Sequence, residues 1–139
     1  MDPIAFLNSQ HTPLRLSLNR SRGALIVPLW FYQEADRLWC ASHETSLIVR
    51  AIGTGVPCGF DVSTNDMPYR GVRGHGFARC DPRSGAQVLE RLIDRYLPDR
   101  NNDLARWLLS RAAGEVAIEI TPTRLRSWDF SKRMQGLAQ

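Results

Sequence analysis

The sequence predicts an α+β protein in which six antiparallel strands bend into a Greek-key barrel, with helices inserted before the last strand. Three observations lead to this prediction. The chain has 139 residues, the usual length of a single domain. Five strand-like segments precede two helical segments and one more strand, an order typical of α+β rather than alternating βαβ architecture. Six antiparallel strands can curl into a small barrel, which removes exposed sheet edges.

The first half of the chain is predicted to be a short helix followed by a three-stranded meander. The helix covers residues 3–9, and leucines alternate with polar residues over 13–18, the period of a strand. An apolar run over 24–32 predicts the second strand, and its internal Pro28 favours an edge or a bulge. Residues 38–42 predict the third strand. Because the connections are short turns, we expect these strands to pair in sequence.

The second half of the chain mixes helical and strand periods. The predicted elements are a helix over 45–52, strands over 56–63 and 71–80, helices over 81–97 and 103–112, and a strand over 115–120. Thr45 is expected to cap the helix over 45–52 and Gly53 to end it. Pro122 is expected to end the last strand, a segment with Trp128 follows, and a C-terminal tail begins at about residue 130.

Composition excludes a disordered, collagen-like or coiled-coil chain, and the distribution of charge bears on the possible partners. Hydrophobic residues make up 43% and charged residues 23% of the chain, values typical of soluble globular proteins. The net charge is +4, and every basic residue except Lys132 is an arginine. The arginines are spread along the whole sequence rather than clustered, so we expect no nucleic-acid partner. No apolar run reaches membrane-spanning length and no secretory signal is visible, so we expect no membrane partner.

The cysteines and histidines follow no disulfide or metal-ligand pattern. They are Cys40, Cys58 and Cys80, and His11, His43 and His75. Their wide spacing predicts reduced core thiols in a cytoplasmic protein and no metal site. A nucleophile elbow, a Walker loop and a dinucleotide-binding glycine motif are all absent from the sequence, so no catalytic residue is predicted.

Four segments carry a more specific pattern. They are Val27-Pro28-Leu29-Trp30-Phe31-Tyr32, the stretch 38–42 with the helix 46–52, the stretch 68–78, and Ile120-Thr121-Pro122-Thr123-Arg124-Leu125-Arg126-Ser127-Trp128-Asp129. In order and spacing they resemble the pyridoxamine 5'-phosphate oxidase-like family of FMN-binding split β-barrels. The resemblance covers roughly residues 4–130 and implies one split-barrel domain over residues 1–139.

The resemblance also implies a function. Members of this family are homodimers that hold FMN, or in some cases a deazaflavin or haem, in a groove between the subunits. The expected activity is that of an FMN-dependent oxidoreductase acting on a small-molecule substrate. The alternative is a non-catalytic flavin, deazaflavin or haem binding protein, or a barrel that has lost its cofactor.

The resemblance implies thirteen candidate cofactor-binding residues. They are Val27, Pro28, Leu29, Trp30, Ala41, Ser42, Ser46, Leu47, Ile48, Arg50, Tyr69, Arg70 and Trp128. The chain departs from the family pattern at Ile48, which stands where the family has a basic residue. Since a phosphomonoester carries nearly two negative charges, the loss of one cation is expected to cost ~1.5–3 kcal/mol of binding. Arg50, two positions later, is a possible substitute.

Each of these segments also has a purely structural interpretation. Ser42, Ser46 and the start of the helix can cradle a phosphate or form an ordinary capped turn, and the resemblance favours the cradle. The strand around Val27 can present backbone groups to a flavin ring or simply be core. Trp128 can cover the partner's flavin or anchor the C-terminus. The segment of Tyr69 and Arg70 can reach the cofactor or an anionic substrate, or lie in a solvated loop.

Overall fold

Seven strands form one antiparallel sheet in the computed structural model, which describes residues 1–137. They are β1 (Leu14–Arg20), β2 (Gly23–Leu29), β3 (Tyr32–Glu34), β4 (Arg37–His43), β5 (Val56–Ser63), β6 (Arg70–Asp81) and β7 (Glu115–Asp129). Across the sheet they follow the order β2-β1-β5-β6-β7-β4-β3. The antiparallel α+β architecture is therefore confirmed.

Five helices surround the sheet. They are α1 (Pro3–Ser9), α2 (Leu47–Ile52), α3 (Gly85–Tyr96), α4 (Asp103–Ser110) and α5 (Ser131–Leu137). Helices α3 and α4 precede the last strand, as predicted. The C-terminal tail predicted from about residue 130 contains α5, and residues 138–139 lie outside the described part of the chain.

The predicted number of six strands is wrong, because the sheet has seven strands, and this sheet is not closed on itself. The apolar run over 24–32 breaks after Leu29, and β3 begins at Tyr32. Between them Phe31 is fully buried, and its N–H donates to the Tyr96 hydroxyl at 3.4 Å rather than to a strand. Within the described residues no ladder joins β2 to β3, which form the two edges of the sheet.

The predicted meander is correct only for its first hairpin. Strand β1 pairs with β2 through the expected short turn. Strand β4 pairs instead with β7, and β3 pairs with β4. The β3–β4 hairpin thus lies at the far end of the sheet, a long-range pairing that short turns in the sequence do not reveal.

The last strand is longer than predicted and continues through Pro122 to Asp129. Pro122 pairs with Gly76 at an irregularity in the β6–β7 register between His75 and Gly76. At a bulge the missing N–H of proline costs no regular ladder bond. Gly76 also permits the close approach of the two strands, because a Cβ there would collide with the Thr121 carbonyl.

The N-cap of helix α2 lies one residue later than predicted. It is Ser46, whose hydroxyl accepts the Val49 N–H at 3.3 Å. Thr45 pairs instead with the His43 ring, at 2.9 Å between Oγ1 and Nδ1. Gly53 ends the helix as predicted, at a φ of 57° that disfavours other residues.

The two faces of the sheet differ in what covers them. The inner face holds the main core, in which Leu16, Cys40 and Ile118 are fully buried. Part of the outer face is covered by α3, whose Val88 and Leu92 pack on Tyr32 and Ala117. The rest of the outer face, over β1, β5 and β6, is open to solvent, since alternate residues of these strands remain at the surface.

Candidate functional site

The ends of β2 and β4 and the start of α2 lie together and contain most of the predicted cofactor contacts. Strands β2 and β4 contact each other although they share no ladder. Trp30, just after β2, and Ala41 of β4 pack against the same cluster, which contains Tyr32 and Leu92. Beyond Ala41 the chain passes through Ser42 into the turn that starts α2.

Two serine hydroxyls are coupled at this turn. The Ser42 hydroxyl donates to Ser46 Oγ at 2.9 Å, and the same Oγ accepts the Val49 N–H. Both acceptor positions of Ser46 Oγ are then used, so its own O–H is left to donate outward. A hydroxyl donor of this kind is suited to an anionic oxygen.

The charged and apolar positions of α2 point in different directions. Arg50 is exposed and four residues after Ser46, so the two share one face of the helix. Ile48 is only 4% exposed and packs in the main core. Its side chain points away from the surface on which a phosphate would lie. Leu47, in contrast, is 45% exposed.

The predicted residues of β2 alternate between core and surface. Val27 and Leu29 pack against the main core, while Pro28 is exposed. Because β2 is an edge strand, one side of its backbone is free of ladder bonds. Trp30 stacks on Tyr96 with ring centroids 4.9 Å apart and planes 6° from parallel. Its indole is therefore held by α3.

A second group of predicted residues lies where β6 begins and β7 ends. The Tyr69 carbonyl accepts the Phe130 N–H at 2.9 Å. The Arg70 guanidinium lies 5.5 Å from the centre of the Phe6 ring. Trp128 is opposite Gly71, where any Cβ would come within 2.7 Å of the indole. Trp128 is thus a neighbour of Tyr69 and Arg70. Their positions in the sequence did not indicate this proximity.

The two groups lie toward opposite ends of β7. Ser42 pairs with Val116 near the start of this strand, whereas Trp128 is close to its end. Twelve residues separate Val116 from Trp128, about 40 Å along the strand at ~3.3 Å per residue. Within one chain, the structure brings together the residues of each group but does not bring the groups together.

Two titratable residues beside the first group were not predicted as site residues. His43 pairs with Glu115 across β4 and β7, and its ring packs against Gly114. Burial raises the pKa of the Glu115 carboxyl, while the nearby His43 and Arg111 act to lower it. His43 follows Ser42 directly in the sequence and so borders the expected phosphate site, but only the strand register joins it to Glu115, which no spacing in the sequence indicated.

The thiols and possible metal ligands add no further site. All three cysteines are free, and burial raises the pKa of Cys58 to about 11. Such a thiol stays protonated and unreactive at neutral pH. Over residues 1–137 no group of three or more His, Cys, Asp or Glu side chains is placed to hold a metal ion. In the same range no helix is long and apolar enough to cross a membrane.

Comparison with known proteins supports a fold but no sequence family. No family model matches the chain, and no curated protein does. Among solved structures, a conserved hypothetical protein from Mycobacterium tuberculosis is 21% identical, with a TM-score of 0.74 over 94% of this chain and 84% of that one. An F420 reductase is 20% identical, with a TM-score of 0.70 over 91% of this chain and 98% of that one.

A third solved structure carries the family name. It is a putative pyridoxamine 5'-phosphate oxidase from Listeria innocua, 12% identical, with a TM-score of 0.63 over 89% of this chain and 94% of that one. The fold is that of the pyridoxamine 5'-phosphate oxidase-like split barrels. The resemblance predicted from the sequence is thereby confirmed at the level of the fold. Ile48, at which the resemblance implies a basic residue, is a core residue in this structure.

Proposed function

We propose that this split barrel is a homodimeric flavoprotein that holds FMN in a groove between its subunits and acts as an oxidoreductase on a small molecule. The observation that carries the proposal is the placement of the two site groups toward opposite ends of β7. If both groups contact one cofactor, the group of Ser42 and Ser46 and the group of Trp128 come from different subunits.

The donors around α2 fit the phosphate of FMN. The free O–H of Ser46 and the exposed guanidinium of Arg50 lie on one helix face. A hydroxyl and a guanidinium together satisfy several phosphate oxygens and supply one positive charge. Arg50 thus takes the place of the basic residue that the family has at position 48.

The remaining site residues would position the flavin ring. The free edge of β2 between Val27 and Trp30 offers backbone groups to the polar edge of a ring. The partner's Trp128 indole would cover the ring and exclude water. Bound FMN supplies the hydride or electron transfer, and the chain supplies binding and orientation. An F420 reductase of the same fold supports this class of chemistry and a deazaflavin as the alternative cofactor.

The free state of the three cysteines supports a cytoplasmic location for this one-domain protein.

A second function, flavin, deazaflavin or haem binding without turnover, is favoured by one observation. Because Ile48 carries no charge, Arg50 supplies the only positive charge of α2. A cradle with one cation is weak for a phosphate of nearly two negative charges. A protein of this kind would carry or sense its cofactor, or would have lost it.

Absorption spectroscopy of the purified chain tests the proposal. FMN is added, excess is removed by desalting, and the visible band of oxidised flavin is expected to remain with the protein. Anaerobic addition of NADPH or NADH is then expected to bleach the band, and a substrate acceptor to restore it. Retention of FMN without bleaching of its band supports the second function, cofactor binding without turnover. Failure to retain FMN, a deazaflavin or haem contradicts the flavoprotein.

The Arg50 contact is tested with Arg50→Ala. FMN affinity is expected to fall by about 10- to 100-fold, the effect of losing one hydrogen bond to a charged group, whereas riboflavin, which lacks the phosphate, binds as before. Arg83→Ala is the matched control, since the Arg83 side chain is 97% exposed. An equal loss for both ligands would show that Arg50 acts on the structure and not on the phosphate.

A further inference from the structure

A row of charged residues crosses four neighbouring strands on the open outer face of the sheet. Arg15 of β1 pairs with Asp61 of β5, Asp61 pairs with Arg73 of β6, and Arg73 pairs with Arg126 of β7. Directly paired residues point to the same face of a sheet. Arg124 lies in the next row, opposite His75. The sheet register thus gathers four arginines that are far apart in the sequence.

Among the residues that line this face, a single carboxylate, that of Asp61, stands against these four arginines. Arg15, Arg73, Arg124 and Arg126 are exposed, and none is in an ion pair with a side chain that the structure describes. Arg73 faces Arg126 directly, and like charges in this position destabilise a sheet. Asp61 is the single carboxylate in the row. An arrangement that costs stability and exposes this much positive charge calls for an anionic partner.

The same residues line a shallow, open groove on the sheet. Its volume is about 560 Å³, within the range of small-molecule sites. The middle is hollow because Gly59, which pairs with Ser17 and His75, carries no side chain there. Ile26, which is 62% exposed, forms an apolar rim.

We propose that this groove binds a small organic molecule with two anionic groups, phosphate or carboxylate, joined by a neutral, hydroxyl-bearing segment. Guanidinium forks bind such groups through paired hydrogen bonds. One anionic group lies between Arg73 and Arg126, and the other at Arg15. Strands are ~4.8 Å apart, so Arg15 and Arg126 are attached about 14 Å from each other.

Asp61 determines which chemical groups the middle segment of the ligand can carry. It lies between the two basic subsites, where its carboxylate repels an anion and accepts a hydrogen bond from a hydroxyl. In the free protein Asp61 accepts the Ser63 hydroxyl at 2.8 Å. A sugar bisphosphate or a hydroxylated dicarboxylate meets these requirements, whereas a single phosphate fills only one subsite.

The inference goes beyond the proposed function, since the groove needs no flavin. Arg126 is two residues from Trp128 on the same face of β7, so the groove borders the surface assigned to the partner's cofactor. A chain that fails to retain FMN would still bind the bisanion, and a flavoprotein without this site would still retain FMN. The failures of the two proposals are therefore distinguishable.

Isothermal titration calorimetry of the flavin-free full chain with fructose bisphosphate, at constant ionic strength, tests the site. We expect saturable binding that Arg73→Ala weakens by about tenfold or more. Arg83→Ala removes the same charge from a site remote from the groove and is expected to change the affinity less than about twofold. Inorganic phosphate is expected to bind at least about tenfold more weakly than the bisphosphate, because it fills one subsite.

A stability measurement separates a binding role from a structural one. Arg126→Thr is expected to raise the melting temperature of the free protein, because it removes the repulsion with Arg73. The same substitution is expected to weaken the binding of fructose bisphosphate. A lower melting temperature would assign Arg126 a structural role and overturn the proposal. Absence of saturable binding, or equal weakening by Arg83→Ala, would also overturn it. Binding of a short DNA duplex but not of the bisphosphate would instead identify a nucleic-acid surface.

Discussion

Ile48 and Leu47 are adjacent residues of α2 with opposite surroundings. Ile48 packs in the main core, and Leu47 is nearly half exposed. Ile48→Lys places an ammonium where nothing neutralises it. We expect it to lower the free energy of unfolding by about 3 kcal/mol or more, and not to strengthen FMN binding.

Leu47→Lys is the matched control for this substitution. Its ammonium reaches water, so the free energy of unfolding is expected to change by less than about 0.5 kcal/mol. Urea denaturation of both variants checks the pair. Equal stability would mean that residue 48 lies at the surface, where the family's basic residue can meet a phosphate.

Glu115 makes stability depend on pH. Burial raises the pKa of its carboxyl above the ordinary value, so the folded state favours the protonated form. The contribution of Glu115 to stability is present below the ordinary pKa and is lost as pH rises through the raised one. Glu115→Gln cannot ionise. The melting temperature of Glu115→Gln, measured relative to that of the wild type, is therefore expected to rise by roughly 2 °C between pH 4 and pH 7.

Glu44→Gln is the control for this pH dependence. Glu44 is exposed on the turn before α2, so Glu44→Gln makes the same substitution outside the packed part of the protein. Thermal melts at both pH values are expected to show a constant difference from the wild type for Glu44→Gln. A difference that is also constant for Glu115→Gln would contradict the raised pKa of the buried Glu115 carboxyl.

At the scale of the element, a glycine allows α3 to pack closely against the sheet. Gly85 starts this helix, and a Cβ there would collide with the Glu115 carbonyl of β7. Gly85→Ala must push the helix away from the backbone of the strand. Overpacking of this kind is expected to cost about 3 kcal/mol of unfolding free energy.

Gly59→Ala is the matched control, because a Cβ at Gly59 would meet only the Gly74 carbonyl, at an ordinary 3.8 Å. We expect a stability within about 0.5 kcal/mol of the wild type. Chemical denaturation of both variants separates the two cases. Comparable stability of Gly85→Ala would show that α3 packs farther from β7 than the structure indicates.

At the scale of the whole molecule, the separation of the two site groups predicts complementation between subunits. One chain carries Arg50→Ala and the other Trp128→Ala, and the two are co-expressed and purified as a mixed dimer. If the site is shared, one of its two grooves combines wild-type Arg50 with wild-type Trp128. We expect half of the FMN sites to bind with wild-type affinity, although neither variant alone has such a site.

Light scattering and FMN titration check this prediction. The wild-type protein is expected to have about twice the chain mass of 15.8 kDa. Two weakened sites in the mixed dimer, with none of wild-type affinity, would place each site within a single chain. A monomeric mass would contradict the shared groove altogether.

The sequence by itself determined the kinds and places of most elements. Period-two alternation predicted β1 and the start of β7, and helical spacing predicted α3 and α4, because these signals depend on which face of an element is buried. Four short segments also indicated the split-barrel fold. Such signals are local, so the order of the elements could be read without knowing their partners.

Tertiary structure alone decided pairing, register and the composition of sites. The break at Phe31 depends on the hydroxyl of Tyr96, and the continuation of β7 past Pro122 depends on Gly76 in the neighbouring strand. Whether residue 48 meets a phosphate depends on the face that α2 turns to the core. The arginine row exists only through the register of four strands. Contacts between residues distant in sequence decide each of these features, and no local pattern records them.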